Sequence, residues 1–388
     1  MNSSLQVGNK ILFLSWRDIK HPKKGGAEVY THEVLKRLVE RGMEIEHYSV
    51  LFDDGVREEM IDGVRYIRSG SNSTVIPHAI AHYYKNQSEI ALVVDQCNTH
   101  RFFTSLWIPH SKRVFFIHQL TREIWQQMFP GTKGKIGNFL ETVMLKMNRN
   151  DNTITVSEST RCDLVAAGFD SKRVIIAPEG LVFEPWAPAD FCEKEGDTLL
   201  YAGRINPYKG VEVCIKTLSK LRKQGRDTRL WIVGKGDPEY IDNRLKPLIK
   251  ELGLDYSEGM GDPRTHDVHF FGFVSSYDLK NLMSRSKALL FASQREGWGL
   301  TVSESAIVGT PSVVWPSQGL IDAVNFGTAG YLCAQKDVDS MVEQVGRIFD
   351  FPEEYDQMRM DAYRFACTLS FNRSADVFES CLKQLLPV

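Results

Sequence analysis

Short β-branched runs alternate with amphipathic stretches from one end of the chain to the other, and this alternation restricts the fold more than any other feature. Strands separated by helices return to one sheet in parallel, because a parallel return needs a crossover of a dozen or more residues. The class is therefore α/β with parallel sheets. In the first half, strands are predicted at Ile11–Trp16, Ile45–Val50, Val64–Arg68, Leu92–Asp95, Arg113–His118, Thr153–Ser157 and Val174–Ala177, with helices between most of them. In the second half they are predicted at Thr198–Gly203, Leu230–Gly234, Val268–Gly272, Ala288–Ala292 and Ser312–Trp315, with helices beginning near Lys209, Tyr240, Ser276 and Leu300.

A chain of 388 residues exceeds one compact core, so two lobes of similar size are expected. The predicted linker is Phe183–Gly196, which holds Pro185, Pro188 and a cluster of charges without a clean apolar period. Asp255–Asp267 reads as a polar loop. The tail beyond Ala366 reads as one more helix, with Phe371, Val377, Phe378, Cys381, Leu382 and Leu385 available for burial, able to fold back across the linker. The expected domains are residues 1–185 and 186–366, with 367–388 as the returning helix.

A formal charge of −2 gives no basic field for a nucleic-acid partner, and none is expected. The apolar runs fall far short of the ~20 residues a membrane-spanning helix needs. The polar stretch Asn2–Lys10 does not resemble a secretory leader, so a cytoplasmic protein is expected. The seven cysteines are scattered and form no Cys-x-x-Cys pair, which supports neither a disulfide framework nor a zinc site. The Asn-x-Ser/Thr tripeptides at Asn2, Asn72, Asn86 and Asn372 carry no weight in such a chain.

Three segments carry candidate chemistry. In Phe291–Pro311, FASQREGWGLTVSESAIVGTP, a helix beginning near Leu300 leaves Glu296 in the preceding loop and Glu304 about one turn inside. Both carboxylates can line one cleft, Glu304 accepting from a ribose diol and Glu296 from hydroxyls of a transferred sugar. Gly297 and Gly299 permit unusual backbone angles beside free N–H groups. In Tyr201–Gly210, YAGRINPYKG, Arg204 and Lys209 bracket a loop at a carboxyl strand edge, where α/β sheets place ligands, and can neutralise a diphosphate. No metal is expected. In Lys24–Thr31, KGGAEVYT, Gly25 and Gly26 open the first helix and allow close approach of phosphate oxygens, or form a plain turn. His118 closes an apolar strand and can meet a donor hydroxyl or position the acceptor, or be a satisfied core histidine. Phe273 and Val274 follow a strand end and can flank a base.

Together these segments resemble the retaining GT-B glycosyltransferases of family four. The resemblance rests on the Gly-Gly-Ala-Glu helix start, the Gly-Arg-x-x-x-x-Lys-Gly loop, the turn Gly234, Lys235, Gly236 and the Glu-x7-Glu signature. It implies two Rossmann-like domains facing across a cleft, the first receiving the acceptor and the second the nucleotide sugar, with a C-terminal helix crossing back. It also implies retention of anomeric configuration, no required metal and no cofactor beyond a nucleoside-diphosphate sugar as co-substrate. By this likeness Arg204 and Lys209 hold the diphosphate, Glu304 the ribose, and Glu296 the donor sugar. The Gly297, Trp298, Gly299 and Leu300 backbone contacts sugar and phosphate, and His118 faces the sugar. Trp298 stands where phenylalanine is commoner in the family.

The expected reaction is hexose transfer from a UDP- or GDP-linked donor to a saccharide or lipid-linked saccharide. Alternatives on the same scaffold are a sugar-nucleotide epimerase, a phosphorylase or an inactive binding protein. Along Lys133–Arg149, Ile136, Phe139, Leu140, Val143 and Met147 recur at helical spacing amid Lys133, Lys135, Lys146 and Arg149. A core-facing helix is the favoured reading, and peripheral contact with an inner membrane face is the other.

Overall fold

The computed structural model describes residues 9–98, 100–129, 131–259 and 261–386. The opening before Asn9, including the tripeptide at Asn2, lies outside them. Two compact units result: residues 1–122, 135–180 and 370–388 form the first, and residues 123–134 and 181–369 the second.

The first unit is built on strands β1 (Lys10–Leu14), β2 (Ile45–Ser49), β3 (Glu58–Ile61), β4 (Val64–Arg68), β5 (Ile90–Cys97), β6 (Arg113–Ile117), β7 (Asn152–Thr155) and β8 (Val174–Ile176). Their order in the sheet is β3-β4-β2-β1-β5-β6-β7-β8. All neighbours are parallel except β3 and β4, an antiparallel hairpin turning at Asp62-Gly63, both with positive φ. β1, β2 and β5 are wholly buried, as a sheet covered on both faces requires.

The helix Phe371–Leu385 belongs to this unit and lies against the helix Gly26–Glu40. Phe371, Phe378, Cys381 and Leu382 are buried, while Val377 and Leu385 are partly so. The Phe378 ring meets Phe116 edge-on at 5.1 Å, and Arg41 bonds Glu379 at 2.8 Å.

The second unit carries β9 (Asp197–Ala202), β10 (Thr228–Val233), β11 (Tyr256–Glu258), β12 (Val268–Gly272), β13 (Ala288–Phe291), β14 (Ser312–Val314) and β15 (Tyr331–Leu332). The order is β11-β12-β10-β9-β13-β14-β15, all parallel. The reading of Asp255–Asp267 as loop is thus corrected at its start, where Tyr256–Glu258 adds an edge strand beside β12.

The stretch Phe183–Gly196 is docked against this unit. Lys194 Nζ lies 2.8 Å from the Ser284 carbonyl, 2.9 Å from that of Gly309 and 2.5 Å from Thr310 Oγ1, and burial, with Arg359 and Lys287 nearby, lowers the pKa of the amine to about 6. Lys194→Met would keep the apolar stem and strand the Ser284 carbonyl, while Gly309 keeps Arg359 Nε at 2.7 Å and Thr310 keeps its bond to the Met283 carbonyl at 2.7 Å. A loss of about 1–2 kcal/mol is expected, read as a lower midpoint in denaturant unfolding.

Candidate functional site

In each sheet the strand order reverses direction next to the first strand laid down, between β1 and β5 in the first unit and between β9 and β13 in the second. Loops leaving the carboxyl ends of such a strand pair diverge to opposite faces and leave a crevice where ligands bind. In the second unit the loop after β9 carries Arg204 and Lys209, and the loop after β13 carries Glu296.

These two loops are tied to each other. The Gln294 N–H donates to the Tyr208 carbonyl at 2.9 Å, and Lys209 Nζ lies 2.5 Å from Glu296 Oε1, both side chains being mostly buried. The Ile205 N–H donates to the Lys235 carbonyl at 2.8 Å, which draws in the Gly234–Gly236 turn after β10. Gly234 has φ 141°, and a Cβ there would sit 1.8 Å from the Gly203 carbonyl oxygen, so no other residue fits. The structure therefore brings Arg204, Lys209, Gly234 and Glu296 to one sheet edge. Arg204 is exposed, with its carbonyl held by the Tyr201 hydroxyl at 2.7 Å.

The helix beyond Glu296 runs Leu300–Ala306, as the spacing predicts. Gly299 precedes it at φ 104°, whereas Gly297 is absent from the positive-φ residues and needs no glycine freedom. Glu304 lies inside this helix. Its carboxyl reaches solvent in part but makes no hydrogen bond or ion pair among the described residues, and close packing desolvates it, pushing it up to about 7. The Trp298 indole is buried in the core and donates to Ser303 Oγ at 3.0 Å, which leaves its backbone as the part that can meet a ligand. Beyond β12, Phe273 is largely exposed with Lys235 Nζ 4.7 Å from its ring centre, and Val274 packs partly on the core.

Sequence reasoning missed Arg295. Buried between the sheet edge and the helix Ile124–Met128, it bonds Glu123 through Nε at 3.2 Å and Nη2 at 3.1 Å. Glu123 stands 172 positions away, and no local pattern announces such a partner.

In the first unit Gly25 caps the helix Gly26–Glu40. Its N–H donates to Glu28 Oε2 at 2.6 Å, so the chain's own carboxylate occupies the place the sequence reading gave to a phosphate. Gly25 is extended rather than left-handed, and Gly26 is simply the first helical residue. His118, just past β6, is buried between Tyr30 and Phe116. Its Nε2 lies 3.2 Å from Gln96 Nε2 and its Nδ1 3.6 Å from Glu179 Oε1. Among the described residues no group of three or more His, Cys, Asp or Glu side chains gathers as a metal site.

The fold of both units together is shared with solved glycosyltransferases. Sucrose-phosphate synthase from Thermosynechococcus elongatus superposes with a TM-score of 0.77 at 17% identity, covering 97% of this chain and 99% of that one. Anabaena HepE, solved with UDP-glucose, gives 0.70 at 16% identity over 97% and 99%. The protein has the GT-B fold.

Residues 24–183 match Glycosyltransferase Family 4 and residues 186–365 match Glycosyl transferases group 1; the chain belongs to this family. An uncharacterized glycosyltransferase of Haemophilus influenzae is 33% identical over 165 residues, 42% of each chain. The chain spans about half the length of the first curated relatives it matches.

Raising the Glu304 carboxyl from 4.5 to about 7 costs the folded state about 3 kcal/mol once pH exceeds both values, and that cost vanishes as pH falls below 4.5. Glu304→Gln, neutral at every pH, is expected to raise the melting midpoint of the ligand-free protein at pH 8 and leave it nearly unchanged at pH 4.5. Equal midpoints for variant and parent at pH 8 would refute the desolvated carboxylate.

Proposed function

We propose that the protein is a retaining, metal-independent hexosyltransferase using a UDP- or GDP-linked sugar, with a saccharide or lipid-linked saccharide as acceptor. The observation that carries this reading is the Lys209–Glu296 contact at the strand reversal of the second unit, with the Arg204 loop bonded to it. There Arg204 and Lys209 neutralise the departing diphosphate, a task that otherwise falls to a bound cation. Glu296 accepts hydroxyls of the transferred sugar once Lys209 turns to phosphate. Glu304, desolvated and without a protein partner, accepts the ribose diol, and its ionised form is the one that binds. The Gly297, Gly299 and Leu300 backbone lines the same edge, and exposed Phe273 with Val274 flanks the base. The UDP-glucose complex of Anabaena HepE, a structural neighbour, supports a nucleotide-sugar donor. The first unit, to which the helix Phe371–Leu385 belongs, receives the acceptor and the second receives the donor.

Chemically, the diphosphate leaves from the face that the acceptor hydroxyl attacks, and a diphosphate oxygen takes the hydroxyl proton. The anomeric carbon exchanges one C–O bond for another with its configuration kept. A thermal-shift panel of UDP- and GDP-sugars should give stabilisation by one of them, about tenfold tighter at pH 8 than at pH 6 because Glu304 must ionise. Lys209→Ala should abolish both stabilisation and turnover. Product NMR showing inversion overturns retention, EDTA-sensitive turnover overturns metal independence, and acceptor-free conversion to another nucleotide sugar replaces transfer with epimerisation.

A membrane-bound acceptor is favoured by one observation. In the helix Thr132–Lys146, Ile136, Phe139, Leu140 and Val143 are 52%, 66%, 46% and 43% exposed, which overturns the core-facing reading of this stripe. Lys133, Lys135, Lys146 and Arg149 surround it, suiting an anionic lipid surface. No helix among the described residues is long and apolar enough to cross a membrane. Sedimentation with vesicles containing phosphatidylglycerol should pull down the chain at low salt, and Phe139→Ser with Leu140→Ser should abolish it. Failure of the parent chain to sediment removes the membrane reading.

A further inference from the structure

The loop that joins β1 to the helix Gly26–Glu40 is strongly basic, and the chemistry proposed above leaves it unused. Its sequence from Trp16 to Lys24, WRDIKHPKK, carries Arg17, Lys20, Lys23 and Lys24 against a single acid, Asp18. That acid is committed inward. Asp18 is buried, its Oδ2 taking the Arg68 guanidinium and the Ser49 hydroxyl (2.9 Å) and its Oδ1 the Lys20 N–H (2.7 Å). Glu28, the next carboxylate along the chain, accepts the Gly25 N–H at 2.6 Å. Among the described residues Arg17, Lys20 and Lys23 form no ion pair. Like charges gathered on one short loop repel one another, and a bound anion removes that repulsion.

Contacts within the first unit fix the shape of the loop. Arg17 Nη1 donates to the Lys23 carbonyl at 2.7 Å and closes the loop on itself. The Lys23 N–H donates to His21 Nδ1 at 3.0 Å, so the ring proton of neutral His21 sits on Nε2 and is available to an acceptor. The His21 ring meets Phe52 edge-on at 5.3 Å, and the Arg68 guanidinium lies 5.2 Å from the same Phe52 ring. Trp16 stacks on His100 with ring centres 4.3 Å apart. The Arg17 charge reaches both imidazoles: burial first, then Arg17, holds His21 and His100 below the usual imidazole range.

Trp16 and His100 follow β1 and β5, the strand pair at which the first sheet reverses, where a sheet of this kind opens a ligand crevice. Two polar atoms at the same strand ends, Ser15 Oγ and Asn98 Nδ2, are buried without a partner among the described residues. Buried groups of this kind are normally satisfied, and a polar ligand or ordered water at the crevice would do so.

We propose that this crevice is a phosphate-binding subsite of the first unit, in which Arg17 and the His21 Nε2–H hold a phosphoryl group with Lys20 and Lys23 close by, so that the acceptor is a phosphate-bearing saccharide. This rests on the reading of the protein as a transferase whose acceptor sits on the first unit. Charge favours phosphate over carboxylate: a phosphomonoester carries about −1.5 to −2 at neutral pH, a uronate only one negative charge, and three unpaired cations share the loop. The exposed His100 ring, backed by Trp16, offers the sugar a flat surface. No bond is made or broken at this subsite. A free sugar phosphate and the diphosphate of a lipid-linked saccharide share this chemistry.

The test titrates the full chain calorimetrically with glucose 6-phosphate, glucose, glucuronate and glucose joined through a diphosphate to a farnesyl chain, at low and high salt. Melting midpoints check that each variant is folded. The parent should bind the phosphate compounds and not glucose, and Arg17→Gln should weaken that binding about tenfold. Added salt should weaken the parent more than the variant. Lys209→Ala, which removes a cation of the second unit, should leave the affinity for glucose 6-phosphate unchanged. Tighter binding of glucose 6-phosphate supports a free sugar phosphate as acceptor, and tighter binding of the farnesyl compound supports a lipid-linked one. No binding by the parent, equal affinity in folded Arg17→Gln, glucuronate binding as tightly as the phosphates, or loss in Lys209→Ala overturns the subsite and leaves the transferase reading intact. That reading is followed separately, as nucleoside diphosphate release from UDP- and GDP-sugars. Release stimulated by a phosphate compound in the parent and not in Arg17→Gln supports the proposal. No release from any of these donors overturns the transferase reading, and with it the assignment of the phosphate compound as acceptor.

Discussion

A parallel strand cannot be reached by a tight turn, and every crossover must leave one sheet edge and come back to the other. Helices therefore start, and loops gather, at the carboxyl edge. Where consecutive crossovers go to opposite faces, two neighbouring loops separate and their polar groups are exposed to a shared crevice. In the second unit that pair is the loops after β9 and β13, and it is there that Lys209 and Glu296 meet at 2.5 Å. The contact is an ion pair in which each partner satisfies the other. Both side chains are mostly buried, so removing either alone would leave a charge with little water around it.

The two glutamates of the signature segment are treated differently by the same fold. Glu296 is paired with a cation, whereas Glu304 is packed around by protein with no partner of its own. One loop and one helix thus hold a carboxylate that is already neutralised and another whose ionisation is opposed. The unsatisfied Glu179 in the first unit has the same character, being buried beside a single imidazole.

How far the sequence is readable depends on the range over which each signal acts. The helix start at Leu300 was legible because Gly299 and the following apolar period are local, and Val64–Arg68 and Val268–Gly272 were legible as apolar runs. The hairpin partner of β4 was passed over although Asp62-Gly63 between EEMI and VRYI is a two-residue turn signal. Its alternating exposure leaves too little apolar character to stand out. β11 and β15 are three- and two-residue edge strands defined by their neighbours. The Lys209–Glu296 contact spans 87 positions and the Arg295–Glu123 contact 172, and only the strand order makes them adjacent.

The inverted helix Thr132–Lys146 has a physical cause of the same kind. Arg122 adopts φ 42°, so that its own N–H and that of Thr121 point together, and such a pair of amides demands an anion. Glu141 supplies it, accepting from Thr121 at 2.6 Å and from Arg122 at 2.8 Å. Once this carboxylate is turned inward, Gly134, Leu145 and Asn148 share the buried face with it, and Asn148 is held by Arg101 at 3.0 Å. The apolar residues at helical spacing are then left on the other side. A periodicity argument assigns the apolar stripe to the core because burial of methylenes usually dominates. Here two backbone donors that need a partner at the start of the segment fix the rotation of the helix first.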